Sequence, residues 1–111
     1  MATAKRALFV CGRNRLRSPT AERLFAGRGG FETASAGLNP DADVQVSPEL
    51  LEWADLVFVM ENAQRAKLTK NFSAHLRGKK IVCLKIPDDY EYMNPELIEL
   101  LEAKAGRFFA R

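Results

Sequence analysis

Ala7-Leu8-Phe9-Val10-Cys11-Gly12-Arg13-Asn14-Arg15-Leu16-Arg17-Ser18-Pro19 decides the fold of this chain. Ala7–Val10 is an apolar run of β type, and a helix-like segment through Ala21, Leu24 and Phe25 follows Pro19. A strand, a short loop and a helix N-terminus bring backbone N–H groups together around one point, which suits an anion. The loop has Cys-x5-Arg-Ser spacing, with Cys11 at one end and Arg17 at the other. Those two residue types point to a thiolate nucleophile facing a bound oxyanion.

Outward from this stretch, apolar runs recur. Phe31–Ala34 is a weaker strand candidate, and Leu56–Met60 and Ile81–Leu84 are stronger ones. Leu56–Met60 is apolar without alternation, as expected of a strand covered on both faces in a parallel sheet. Helical stretches lie between the strands. Ser18-Pro19, Ser47-Pro48 and Asn94-Pro95 each place a polar N-cap before proline at the first helical position. Leu97, Ile98, Leu100 and Leu101 give the last helix an amphipathic stripe. Gly29-Gly30 and Gly78 mark helix ends ahead of strands. Residues 37–46 form the one long polar loop. The alternation predicts a single α/β domain over residues 1–111, a three-layer sandwich around a parallel sheet.

Composition narrows the function classes. Of 111 residues, 47% are hydrophobic, enough for one core, and 17 basic against 14 acidic residues give +3 and a pI near 9.1. That mild excess favours an anionic small substrate or phosphoprotein. Arg13, Arg15, Arg17, Arg23 and Arg28 are not interleaved with aromatic platforms, so no nucleic-acid partner is expected. His75 is the only histidine, which disfavours a Cys/His metal cluster or a histidine-based dyad, and it is expected to be exposed. No metal or other cofactor is expected. Two cysteines make no disulfide framework, and Cys83, inside Ile81–Leu84, is expected to be a packed thiol. The residues before Ala7 lead into too short an apolar run for a signal-peptide core, and no membrane span is expected. A cytoplasmic, reducing setting suits the free thiols. Trp53 is expected to pack a helix onto the sheet. Glu61 either stands near the site or starts the next helix. No motif reports the oligomeric state.

Cysteine attacks only as the thiolate, which a helix N-terminus and nearby arginines favour. Arg17 can offer a bidentate fork to a phosphoryl group, and the loop N–H groups of Gly12, Arg13, Asn14, Arg15 and Leu16 can cover the remaining charge. Ser18 either caps the helix, donates its hydroxyl to the Cys11 sulfur, or does both. Asn14 tolerates a left-handed backbone and can brace the loop. Phosphoryl transfer also needs an acid for the leaving group. Ile86-Pro87-Asp88-Asp89-Tyr90-Glu91-Tyr92 follows the fourth strand, at the sheet edge where ligands bind in open α/β folds. Adjacent Asp88 and Asp89 are the candidates for that acid. Tyr90 or Tyr92 can wall the pocket.

These residues resemble the low-molecular-weight protein tyrosine phosphatase family. The likeness runs through Leu8–Cys11, Asn14, Arg17-Ser18-Pro19, Ala21-Glu22, Ser35-Ala36-Gly37, Ala54–Met60 and Asp88–Tyr90. It implies a four-stranded sheet in the order 2-1-3-4, with the phosphate-binding loop after strand 1. It also implies catalysis in two steps: Cys11 attacks phosphorus, and Asp88 protonates the leaving oxygen, then activates water. Arg17 would bind the phosphoryl oxygens, Ser18 would support the thiolate, and Asn14 with Ser35 would hold the loop.

The chain departs from the family in several places. Arg13 stands where glycine is usual, Arg15 where a small or β-branched residue is usual, and Leu16 where a second cysteine is common. A disulfide within the loop is therefore impossible. Asp88-Asp89-Tyr90 replaces Asp-Pro-aromatic, so Asp88 is chosen over Asp89 by register alone. Residues 37–46 are shorter than the family's recognition segment, which predicts a more open site. Arg13 and Arg15 are candidates to attract a second negative group, or else lie solvated on the surface. Two other functions fit parts of the pattern. A thiol-coupled arsenate reductase would need relay cysteines, and only Cys83 is on hand. A phosphate or phosphoprotein sensor would need the loop without the chemistry.

Overall fold

The computed structural model describes residues 5–110. Four strands, β1 (Lys5–Cys11), β2 (Phe31–Gly37), β3 (Leu56–Val59) and β4 (Lys80–Cys83), alternate with four helices. The helices are α1 (Arg17–Phe25), α2 (Pro48–Trp53), α3 (Asn62–Phe72) and α4 (Pro95–Ala105). The sheet order is β2-β1-β3-β4 and every pairing is parallel, as the resemblance implied. Val10 pairs with Ala36 on one side and Val59 on the other, so β1 lies in the interior of the sheet and delivers Cys11 to the middle of its carboxyl edge.

Both sheet faces are covered, which explains the missing alternation. Ala7, Phe9 and Cys11 point into one core with Ala21 and Phe25 of α1 and Leu97 and Leu101 of α4. Leu8 and Val10 point into the other with Leu51 of α2 and Leu68 of α3. All of these but Cys11 are fully buried. Burying an aliphatic or aromatic side chain of this size contributes about 1.5–3 kcal/mol, so the two cores are the main favourable term. In the first core Phe9 stacks on Phe25, Phe58 and Phe109, with ring centroids 5.8, 5.0 and 5.9 Å apart.

Element boundaries follow local chemistry. Ser47 Oγ accepts from Leu50 N at 3.2 Å and Asn94 Oδ1 from Glu96 N at 2.8 Å, so both expected caps form. The third does not. α1 begins at Arg17 after Leu16, which makes no side-chain cap, and Ser18 lies inside the first turn. Its hydroxyl faces Cys11 instead. β2 runs to Gly37, three residues past its expected end, because Gly37 stays in register with Cys11. Gly29, Gly30 and Gly78 take positive φ ahead of β2 and β4. Trp53 packs partly buried against the second core. Cys83 is only half-buried there. His75 is also half-buried and pairs with Glu52 at 2.7 Å. Among the described residues no helix is long and apolar enough to cross a membrane.

Phe109 closes the first core from the chain's last turn, with its ring 4.3 Å from Phe25 and 4.6 Å from Phe31 between centroids. Phe109→Ala should cost about 3–5 kcal/mol in urea denaturation, the range for a buried aromatic truncated to alanine. Phe108→Ala should cost less than half as much, because Phe108 is only partly buried.

Candidate functional site

The loop between β1 and α1 is built around the Cys11 sulfur. Cys11 is 3% exposed, and its Sγ accepts from Asn14 N at 3.2 Å and lies 2.9 Å from Ser18 Oγ. Asn14 has φ of 58°, the left-handed region, and its Nδ2 donates to Ser18 Oγ at 3.1 Å. The Ser18 oxygen receives the Asn14 proton, so its own hydrogen is free to point at sulfur. Its alternative acceptor, the Ala36 carbonyl, is more distant at 3.5 Å. The Asn14 N–H and a hydroxyl able to donate thus converge on Sγ, an arrangement that suits a thiolate.

The segment after β2 presses on the outside of this loop. Leu38 N donates to Cys11 O at 3.0 Å, Asn39 N to Gly12 O at 2.9 Å and Asp43 N to Arg13 O at 3.1 Å. This close approach demands glycine at position 37. A Cβ there would collide with Gly12 O, and would lie 2.7 Å from Ala42 Cβ and 2.9 Å from Asn14 N.

Arg17 is 4% exposed, although it is charged. Its Nη1 donates to Glu61 Oε2 at 2.9 Å and to the Ile86 carbonyl at 2.8 Å, and its Nε lies 3.6 Å from Asp88 Oδ1. Nη2 has no protein partner among the described residues. No buried side-chain nitrogen or oxygen there lacks a partner, so solvent reaches Nη2. The Nη1 edge is thus fixed, and the Nε and Nη2 edge stays available to a ligand.

A cavity of about 470 Å³ opens over the loop. Every loop residue from Cys11 to Arg17 except Asn14 lines it, and Asn39 and Asp88 stand on its rim. Asn14 and Ser18 are buried and support the loop from behind. Asp89 is exposed and lies outside the cavity lining. Tyr90 also lies outside it: its ring packs against the first core, and with Leu100 and Ala103 it lines a separate cleft beside α4. Ser35, expected with Asn14 to hold the loop, donates its hydroxyl to Glu22 Oε1 on α1. Tyr92 is exposed beside α1, and its oxygen accepts from Arg23 Nη1 at 3.4 Å. That hydrogen bond, then charge, holds the Arg23 pKa above its ordinary value.

Glu61 plays both of its expected parts. It pairs with Arg17 and precedes α3, where Gln64 Oε1 accepts from Met60 N at 2.9 Å and Glu61 N at 3.0 Å. Three contributors were not foreseen. Asn39 was hidden in a polar loop, although its place before Pro40 was a turn signal. The Ile86 carbonyl leaves no trace in residue identity. Thr20 Oγ1 donates to Leu16 O at 2.6 Å and accepts from Met93 N at 2.9 Å, tying the helix start to the Asp88 segment.

Gly37→Ala should push the segment and the loop apart. We expect a stability loss of about 1–3 kcal/mol, typical of overpacking. Affinity for orthovanadate should fall more steeply than that loss alone would cause, read by calorimetric titration beside urea denaturation.

No protein-family model matches the chain, and no curated protein is similar to it in sequence. Solved structures are similar in shape. The tyrosine phosphatase Wzb from Escherichia coli K30, in complex with phosphate, is 24% identical with a TM-score of 0.75, over 96% of each chain. The YwlE arginine phosphatase from Geobacillus stearothermophilus is 23% identical with a TM-score of 0.74, over 94% of this chain and 92% of that one. The Erwinia amylovora tyrosine phosphatase AmsI is 24% identical with a TM-score of 0.75, over 99% of this chain and 96% of that one. At such identities the likeness establishes architecture: this chain has the fold of the low-molecular-weight phosphotyrosine phosphatases.

Proposed function

We propose that this chain is a cysteine-dependent phosphatase that hydrolyses a phosphate monoester of phosphotyrosine type through a phosphocysteine intermediate. One observation carries the reading. Cys11 Sγ, with donors from Ser18 and Asn14 N, lines the same cavity as a buried Arg17 whose outer edge is open.

The thiolate of Cys11 attacks phosphorus, and the bond from phosphorus to the leaving oxygen breaks. The Nε and Nη2 edge of Arg17 and the loop N–H groups hold the equatorial oxygens, whose charge is greatest in the transition state. Asp88 gives its proton to the leaving oxygen. Its backbone is anchored two residues upstream, where Arg17 holds the Ile86 carbonyl. In the second step the Asp88 carboxylate takes a proton from water as the water oxygen attacks phosphorus. The sulfur–phosphorus bond then breaks, releasing inorganic phosphate and restoring the thiolate. Asp88 suits this task better than Asp89, because Asp88 stands on the cavity rim. The similar structures of tyrosine and arginine phosphatases support the same reaction class.

Hydrolysis of p-nitrophenyl phosphate across pH tests this. Cys11→Ser should abolish turnover. Asp88→Ala should lower kcat by about 10²-fold or more, the usual contribution of a general acid. Asp89→Ala should stay close to wild type. Turnover that survives in Cys11→Ser would overturn the mechanism. A wild-type protein that binds vanadate without turnover would be an oxyanion sensor.

A further inference from the structure

Arg13 and Arg15 both line the Cys11 cavity, yet they are held differently. Arg15 is fixed at two points: its Nε lies 3.2 Å from Asp43 Oδ1 and its Nη2 donates to the Asp41 carbonyl at 3.3 Å. Asp43 in turn donates its N–H to the Arg13 carbonyl, so Arg15 is a strut between the loop and the segment pressed against it. Arg13 has a single loose partner among the described residues. Its Nε lies 3.6 Å from Asp41 Oδ2, with the two side chains 64% and 56% exposed. Ion pairs this open contribute about 0–1 kcal/mol, so an anion arriving at the cavity competes easily with Asp41.

We propose that Arg13 is a second anion-binding residue beside the Cys11 cavity, that Asp41 occupies its guanidinium as an internal surrogate anion, and that the preferred substrate carries a second anionic group next to the reacting phosphate. This rests on the phosphatase reading of the same cavity and names the substrate class. Arg17 is the wrong group for the second anion. It is buried and already shared between Glu61, the Ile86 carbonyl and Asp88, all on the far side of the loop from residues 38–43. Arg15 is less available than Arg13 because a ligand would have to break two contacts in place of one. Neutralising Asp41 should therefore strengthen second-anion recognition, and removing Arg13 should weaken it. A surface arginine with no such role would give no such opposition.

The experiment compares phenyl phosphate with a benzene ring bearing two phosphate groups, as the ratio of their kcat/KM values. Any statistical advantage of two phosphates cancels between variants. The ratio should fall about two- to fivefold in Arg13→Ala and rise by a similar factor in Asp41→Asn, as expected for one exposed charge pair. The double variant should match Arg13→Ala. Arg15→Ala should change both substrates alike, because its role is to hold the segment. The wild-type ratio should shrink at about 1 M salt, where the Debye length is about 3 Å. Ratios unmoved in both Arg13→Ala and Asp41→Asn would overturn the proposal. Should wild type hydrolyse neither compound, the phosphatase reading fails by itself. Calorimetric titration of both compounds into Cys11→Ser, alone and with each of these changes, then reads the same preference as a ratio of affinities, with the same criteria.

Discussion

A buried guanidinium sets the terms for this site. Removing an arginine from water costs several kcal/mol unless charge and hydrogen bonds replace hydration. Arg17 is 4% exposed, and its replacements come from distant places in the chain: Glu61 after β3, and the Ile86 carbonyl and Asp88 after β4. Those positions meet only if β1, β3 and β4 are adjacent and parallel, so that all three carboxyl ends share one edge. Glu61 is held in place by its own surroundings, since Gln64 Oε1 takes the N–H groups of both Met60 and Glu61. Disturbing that helix start would move the carboxylate on which Arg17 depends.

The second constraint is crowding at the other side of the same edge. Cys11 and Gly37 are paired in register at the ends of neighbouring strands, and both chains turn away there. The β1 loop turns through left-handed Asn14, which costs about 1 kcal/mol for a residue other than glycine. The Asn14 side chain offsets that cost by bracing Ser18. The β2 exit turns back on itself, with Gly37 N donating to Val44 O at 2.8 Å and Val46 N to Gly37 O at 3.0 Å. The connection from β2 to α2 thus packs against the Cys11 loop through backbone hydrogen bonds.

Much of this was readable from residue order. Apolar runs without alternation marked the strands because both sheet faces are covered. Ser47-Pro48 and Asn94-Pro95 marked helix starts because each cap bonds to a backbone within three residues. Ser18-Pro19 marked the start of α1 to within two residues, but not by a cap. Of the two roles open to this serine, the contact with the Cys11 sulfur formed and the cap did not. Tyr90 and Ser35 show the limit of local reading. Whether a tyrosine in a loop faces a cavity or a core depends on α4 beneath it, and a serine on β2 reaches Glu22 because α1 crosses that face. The ion pair between Arg17 and Glu61 spans 44 positions, and the bond to Ile86 spans 69. Only topology brings such residues together.

Local rules and the global fold disagree at three neighbouring positions. A charged arginine is buried, an asparagine is left-handed, and a serine that could cap a helix does not. Each departure is unfavourable for folding taken alone, and an apolar residue at position 17 would avoid the desolvation of Arg17. The other left-handed residues besides glycine, Lys85 and Met93, flank the segment that carries Asp88. Inconsistencies that gather in two segments beside one cavity mark the place where something other than stability decides the residues. All three suit the proposed reaction, in which an anion is bound over Cys11. Arg17 would supply the charge, the turn at Asn14 points its N–H at sulfur, and the Ser18 hydroxyl lies 2.9 Å from the same atom.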